Sequence, residues 1–450
     1  MKITHYSNSF ISVRSQSEHF VCDPWMGKAN TGGWQSFPEY PVDQLARHLS
    51  DARWIYLSHL HDDHFHPQTL KALGLLDREF VIKRFQSPVM RERLKKLGVT
   101  RIHEFDPFTA SRLGPFEVAI FPQMTSNSSG LDDDVNYDLD TSIAFKADET
   151  VFFNQVDNPL STEDVIQVRD WIVKYLGRID IACLMCGAAG EYPQLFLGID
   201  QAGEKRRIVE HALNELLTWL RLLDPTYYFP AGGTYLIPGW LSIYGNNIAQ
   251  PGFQEVSELI KQLNLRVQPL ALEGGYSVDM STHKPQIRTG PEVMPIEADL
   301  QAAIRMHSAD PYDYEAEDAP SYARLVEMLD VARENWLKKV QGDALHIVQS
   351  IRFEVYSELA VRDGMPDQAR RLGSYKLFES SDKQTGDLII HIDQRALFGC
   401  LTRRFVWNGV LGSLCLYERR PNRHFPTDFF SINFFTLFIN QKRDFGLTGC

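Results

Sequence analysis

Four histidines and two aspartates fall within the eight residues 59–66 of the stretch LSHLHDDHFHP (57–67). The β-prone run ARWIYLS (52–58) leads straight into them, so the cluster stands where a buried strand exits. At a strand end His59 and His61, two residues apart, project to the same side. The chain then turns, and Asp63 and His64 present a carboxylate and an imidazole to an adjacent position. The two pairs can serve two metal ions about 3.5–4 Å apart. Imidazole with carboxylate suits zinc, iron or manganese rather than copper(I). A solvated surface gives no reason for so many histidines in so short a stretch, and metal binding is the expected role.

The elements that must position this cluster read as alternating strands and helices. KITHYSNSFISV and HFVCDPW are short β-prone runs ahead of it. Pro67 suits the first turn of a helix over PQTLKALGLL, because proline is tolerated where the N–H has no helical partner. EFVIKRF, a helix over SPVMRERLKKLG, and TRIHEF continue the alternation. FEVAIFPQ, TSIAFKAD and TVFFNQVD read as three strands, the last two a hairpin turning at Asp148-Glu149. A helix over STEDVIQVRDWIVKYLG is opened by a Ser161/Thr162 cap with Asp164 nearby. IDIACLMCG reads as a central strand, followed by a helix over GEKRRIVEHALNELLTWLRLL and the strand TYYFPAGG. Near residue 275 the texture turns polar and proline-bearing, which marks a linker over 276–300. Past an acidic loop (308–321), a helix over YARLVEMLDVARENWLKKV and alternating segments form a smaller α+β domain over 301–450.

The pattern His59-x-His61-x-Asp63-His64 matches the H-x-H-x-D-H signature of the metallo-β-lactamase superfamily, and residues 1–275 resemble its αββα sandwich. A closer resemblance is to the catalytic part of the CMP-N-acetylneuraminate hydroxylase group. It is carried by DPWMGKANTGGW (23–34), LDTSIAF (139–145), NQVDNP (154–159) and PTYYFPAGG (225–233), and extends to RRFVWNG (403–409). The resemblance implies metal ligation by His59, His61, Asp63 and His64, with Asp157 of NQVDNP as the carboxylate that bridges two metals. It also implies a further histidine in the region 125–140, where the sequence offers only Asn136, Asp138 and Asp140, and another near YYFPAGGTYL, where none stands. Either a carboxylate such as Asp138 substitutes, or His66 or a distant His283 moves in, or the site holds a single metal. Fewer imidazoles and more oxygen ligands lean the site toward iron or manganese.

Two enzyme chemistries follow from this resemblance. In the favoured one, two iron ions activate O2 to hydroxylate a small-molecule substrate. The Rieske module of the sialic-acid hydroxylases needs a C-x-H…C-x-x-H set, which this sequence lacks. Electrons are therefore expected from a separate donor protein or from the substrate. In the alternative, zinc (or manganese or iron) activates water to hydrolyse a lactone, thioester or phosphodiester, with Asp63 as the catalytic residue that orients or deprotonates it.

Other features point to packing or exclude function classes. Cys183-x-x-Cys186 has redox spacing but lies in an apolar strand, where core thiols are expected. The turn AGGTY (231–235) faces the active-site edge in this fold, and Trp25, Trp34 and Trp240 are candidate pocket walls that core packing explains as well. A net charge of −12 over 450 residues, with 23% charged and 44% hydrophobic residues, gives no basic footprint for nucleic acid. No apolar run approaches the roughly 18 residues of a membrane span. The start MKITHYSNSFISV has no signal-peptide pattern, and six scattered cysteines fit a reducing compartment, so a cytoplasmic location is expected.

Overall fold

In the strand Trp54–Tyr56 and its neighbours, side chains alternate between two apolar layers. Phe20, Cys22, Trp54, Tyr56 and Val81 face one layer, whereas Val21, Ile55, Leu57, Phe80 and Ile82 face the other. Strands apolar on both sides must be covered on both sides, and that requirement builds the architecture. The structure, a computed structural model, describes residues 1–124, 140–187, 189–232, 234–281, 285–342, 350–380, 387–402 and 404–420.

Among the described residues, two large sheets stack face to face. The first has eight strands in the order Gln286–Ile287, Tyr276–Asp279, Lys2–Ser7, Phe10–Ser15, Glu18–Cys22, Trp54–Tyr56, Glu79–Lys83 and Arg101–Phe105. The second has seven, in the order Gln268–Pro269, Tyr227–Ala231, Ile181–Met185, Thr150–Asn154, Thr141–Ala147, Phe116–Pro122 and Ser111–Leu113. Between them lies a layer to which Phe116, Ile143, Phe145, Phe152 and Phe229 contribute from the second sheet. Outside the first sheet pack the helices Val42–His48, Pro67–Ala72 and Val89–Lys96, through Leu45, Leu70, Met90 and Leu94. Outside the second pack Thr162–Tyr175, Gln201–Leu223 and Phe253–Gln262, through Val168, Ile172, Leu216 and Ile260. This is the αββα sandwich of the metallo-β-lactamase fold.

Local signals act where the sequence places them. The hairpin between Thr141–Ala147 and Thr150–Asn154 turns at Asp148 and Glu149, both left-handed at φ 50° and 62°. That pair of positive φ angles matches the right-handed twist of the flanking strands. Ser161 caps its helix reciprocally: its Oγ accepts from the Asp164 N–H at 3.2 Å, and Asp164 Oδ2 accepts from the Ser161 N–H at 3.0 Å.

Residues 276–300, expected as a linker, instead contribute two short strands to the first sheet. Tyr276–Asp279 pairs antiparallel with Lys2–Ser7, and Gln286–Ile287 adds to its far side. Such short edge segments show too little alternation to stand out from a polar background.

Beyond them, a four-stranded sheet in the order Arg371–Phe378, Ser350–Tyr356, Asp387–Asp393 and Leu416–Arg420 carries the helices Tyr322–Gly342 and Gln394–Leu401. Asp393 ends its strand and caps the next helix, accepting from the Arg395 N–H at 2.8 Å. Phe353, Ile390, Leu397 and Trp336 belong to the same buried cluster as Trp34 and Leu45. The two regions are also tied by backbone bonds: Leu197 N–H donates to the Tyr417 carbonyl at 2.7 Å, and Tyr417 N–H to the Leu195 carbonyl at 2.9 Å. Phe196 and Tyr417 stack between those bonds, ring centroids 4.9 Å apart. Among the described residues no helix is long and apolar enough to cross a membrane.

Candidate metal centre

The loop after Trp54–Tyr56 is anchored before it delivers any ligand. Ser58 N–H and Oγ donate to the two oxygens of Asp23, at 2.8 and 2.7 Å, from the end of the neighbouring strand. The Ser58 carbonyl accepts from Thr141 Oγ1 at 2.8 Å, and Thr141 Oγ1 also lies 2.6 Å from the Tyr56 hydroxyl. The second sheet thus grips the same loop that the first sheet launches. From this anchor the chain turns through His61, whose carbonyl accepts from the Phe65 N–H at 2.8 Å, so that His59, His61 and His64 crowd together. The His59 ring centroid lies 4.5 Å from that of His61 and 4.2 Å from that of His64.

Two groups of donor atoms close enough to hold a metal ion result. His59, His61 and Asp140 form one, and His59, His64 and Asp157 the other, with the donor atoms of each group within 4.8 Å of one another. His59 Nε2 stands 2.8 Å from His61 Nδ1 and 3.1 Å from Asp140 Oδ1. His64 Nε2 stands 3.0 Å from Asp157 Oδ2 and 3.3 Å from Asp63 Oδ2. Asp157 arrives on the turn after Thr150–Asn154, and Asp140 stands immediately before Thr141–Ala147, so the second sheet supplies both carboxylates. Asp157 Oδ1 is buried without a hydrogen-bond partner among the described residues. A buried carboxylate oxygen left unpaired is destabilising unless a cation meets it. The donor set therefore fits a metal ion.

The nitrogens facing away from the cluster are held as metal-binding histidines require. His59 Nδ1 lies 2.9 Å from Ser58 Oγ, and His64 Nδ1 lies 3.1 Å from Asp23 Oδ2. Asn8, on the turn between the first two strands at φ 43°, donates through Nδ2 to Asp63 Oδ2 at 3.0 Å. Burial holds the His59 imidazole far below its ordinary pKa, reinforced by the neighbouring His64 and His61 rings. Burial also opposes charge on His64, but the Asp157 and Asp63 carboxylates outweigh it and hold that imidazole well above its usual range. Asp63 responds in kind: against its burial, the His64 charge and hydrogen bond keep it ionised below the usual carboxylate range.

His59, His61, Asp63, His64 and Asp157, expected as ligands, are thus brought together. Asp138 lies outside the described residues, as do Asn136 and His283; Asp140, which is described, stands beside His59. His66 does not join the cluster. Its Nδ1 lies 2.7 Å from Thr69 Oγ1 and accepts from the Thr69 N–H, while Nε2 lies 2.9 Å from the Lys28 carbonyl. It caps the helix that begins at Pro67, and burial lowers its pKa to about 4. In the segment YYFPAGGTYL, which carries no histidine, Gly232 at φ 75° stands beside the cluster, its missing Cβ position 3.7 Å from Asp157 Oδ1 and 3.6 Å from Met185 Cγ.

The sequence also held residues that spacing did not reveal. Asp23 was visible only inside a family-like segment, with nothing to mark its carboxylate as the anchor of Ser58 and His64. Asn408, which lies 3.4 Å from His61 Nε2, was likewise visible only inside the family-like RRFVWNG, and Asn8 carried no signal at all. Cys183 and Cys186 are buried thiols in two different apolar layers, one between the sheets and one outside, as packing residues would be. Trp25, Trp34 and Trp240 all pack in or against one core cluster, with Trp34 stacked on Tyr235 at 4.3 Å.

No family model matches the chain. A putative Rieske 2Fe–2S iron–sulfur protein of Mycobacterium tuberculosis is 25% identical over 242 residues, which cover 52% of this chain and 44% of that protein. The cytidine monophosphate-N-acetylneuraminic acid hydroxylase of Xenopus laevis is 26% identical over 252 residues, 52% of this chain and 38% of the relative. The chain therefore spans less than half the length of these curated relatives. Among solved structures, CmlA, a diiron β-hydroxylase from Streptomyces venezuelae, aligns over 64% of this chain and 54% of its own, at 14% identity and a TM-score of 0.41. The resemblance to the hydroxylase group expected from DPWMGKANTGGW, LDTSIAF and NQVDNP is met in this similarity over about half of the chain.

Proposed function

We propose that this chain is a non-heme iron oxygenase of the metallo-β-lactamase fold, hydroxylating a small-molecule substrate with O2. The observation that carries the reading is the make-up of the ligand groups, in which aspartates stand beside a trio of histidines. A site this rich in oxygen donors suits iron better than a histidine-dominated one would. The similarity to a hydroxylase points the same way.

His59, His61 and Asp140 would hold one iron, and His64, Asp157 and Asp63 a second. Iron held there would supply the redox chemistry needed to activate O2. The chain's own contribution is to fix and tune the donors. Asp23 and Ser58 orient His64 and His59, so that both turn Nε2 toward the cluster. Asn8 holds Asp63 in place while leaving its carboxylate ionised. The described residues hold the metal ligands and no Rieske ligand set, so the two electrons per hydroxylation would reach them from outside this segment or from the substrate.

One observation favours hydrolysis as a second reading. The ionised Asp63, buried and steadied by Asn8, is placed to take a proton from an attacking water. Lactones, thioesters and phosphodiesters are the substrates of that chemistry, and zinc its metal.

Metal analysis of anaerobically purified protein, with Mössbauer spectroscopy on iron-enriched material, separates the two. About two irons per chain with a coupled signature is the expected result. Stoichiometric zinc retained from ordinary growth medium would overturn the oxygenase reading in favour of hydrolysis.

A further inference from the structure

His61 faces two ways. Its Nδ1 is 2.8 Å from His59 Nε2, in the heart of the donor cluster, and its Nε2 is 3.4 Å from Nδ2 of the Asn408 side-chain amide, whose oxygen takes that place when the amide is turned over. Those two residues are 347 positions apart. We propose that Asn408, brought from the C-terminal region, is a positioning residue for the metal centre that accepts the Nε2–H of His61 and so fixes which nitrogen His61 offers the metal. The proposal rests on the metal-binding reading of the cluster.

The tautomer argument is simple. A histidine that offers Nδ1 to a cation must carry its proton on Nε2, and that N–H needs an acceptor. The two ends of an asparagine amide are interchangeable by a flip, so the atom facing Nε2 is then Oδ1. The separation of 3.4 Å is long for a hydrogen bond, so the placement of Asn408 must be argued from what holds it.

That placement is tightly determined. Asn408 lies in the short helix Trp407–Ser413, which packs on the turn at 30–33. A Cβ on Gly409 would come within 3.2 Å of Asn30 Cα, and one on Gly33 would collide with Ser413 Oγ at 2.0 Å. Glycine at both contacts lets the two backbones approach closely. Ser413 Oγ further donates to the Asn30 carbonyl at 3.3 Å. The chain entering the turn is tied in its own right to the histidine loop, since the Lys28 carbonyl lies 2.9 Å from His66 Nε2. The helix, the turn and the loop thus form one clamp with Asn408 aimed at His61.

The test uses the full chain loaded with cobalt(II), comparing Asn408→Ala and Asn408→Asp with the unaltered protein. Affinity is read by competition with a chelator, and ligand geometry by the cobalt absorption spectrum. Asn408→Ala should bind cobalt 10–100-fold more weakly with an altered spectrum. Asn408→Asp, which keeps an acceptor, should stay within about threefold of the unaltered protein, in keeping with the loss of an outer partner being what weakens the site. Equal affinity in all three proteins, or equal weakening in both variants, would overturn the proposal. Proton NMR of the unaltered cobalt protein provides a measurement independent of either variant folding. A slowly exchanging, paramagnetically shifted Nε2–H from His61 is expected, and fast exchange of that proton counts against Asn408. If the unaltered protein binds no cobalt, the metal reading itself fails, and the proposal with it.

Discussion

Asp23 is the residue on which the metal centre leans most heavily without belonging to it. Its side chain is fully buried and accepts Ser58 N–H on Oδ1 and both Ser58 Oγ–H and His64 Nδ1–H on Oδ2. Asp23→Asn keeps the shape and the Oδ1 acceptor but replaces Oδ2 by a donor. The Ser58 hydroxyl can rotate to accept from it. His64 can meet the amide only by giving up its Nδ1 proton, which leaves a neutral ring whose one proton sits on Nε2, the nitrogen that faces Asp157 at 3.0 Å. In the metal-free protein Asp157 Oδ2 still accepts that Nε2–H, but the charge that Asp157 and Asp63 hold on the ring is lost. Metal binding is weakened directly, because the lone pair it needs now carries a proton. A hydrogen bond to a charged group contributes about 1.5–3 kcal/mol, and losing an outer partner of a ligating histidine weakens metal binding about 10–100-fold. The expected outcome is therefore about a 10–100-fold loss of affinity in a chelator titration, with the thermal midpoint of the metal-free protein lowered less than in Asp23→Ala. Asp23→Ala should lower both, since it leaves buried Ser58 and His64 donors unpaired at about 1–3 kcal/mol each. Asp23→Asn with full metal affinity, or with a metal-free midpoint as low as that of Asp23→Ala, would refute the tautomer argument.

Two other outcomes follow from the same geometry. Asp157→Ala removes a carboxylate from the second ligand group and should reduce bound metal per chain in elemental analysis; an unchanged metal content would remove Asp157 from the site. Burial lowers His5, His19 and His66 to about 4, the last two with smaller contributions from neighbouring groups. Between pH 6.5 and 4 the unfolded chain binds protons at these positions that the folded chain does not, so stability should fall as pH is lowered through that window. Urea midpoints measured across it should drop, and His5→Gln should make the slope shallower; a slope identical in His5→Gln would show that His5 is not a source of it.

What the sequence made legible was whatever a short stretch could hold. His59, His61, Asp63 and His64 stand out because a strand exit and a turn place all four within six residues. The capping box at Ser161 and the hairpin at Asp148-Glu149 are local in the same sense. Asp23, Asn8 and Asn408 meet the cluster across 41, 55 and 347 residues, through pairings that only the assembled sheets determine. His66 shows the opposite error, in which proximity suggested a ligand where helix capping had already engaged both ring nitrogens. The strands at Tyr276–Asp279 and Gln286–Ile287 were hidden because an edge strand needs little apolar alternation to be held by its neighbour.

The separation between His61 and Asn408 also has a temporal side. A ribosome adding about 5–20 residues per second needs about 20–70 s to advance over the 347 residues that lie between them. During that interval the histidines have left the tunnel while the outer partner of one of them has not been made. Metal captured then would meet a site lacking one of its walls, and exchange more freely than in the finished protein. On the proposal that Asn408 holds His61, firm retention of an ion would wait until the helix Trp407–Ser413 has been made and docked.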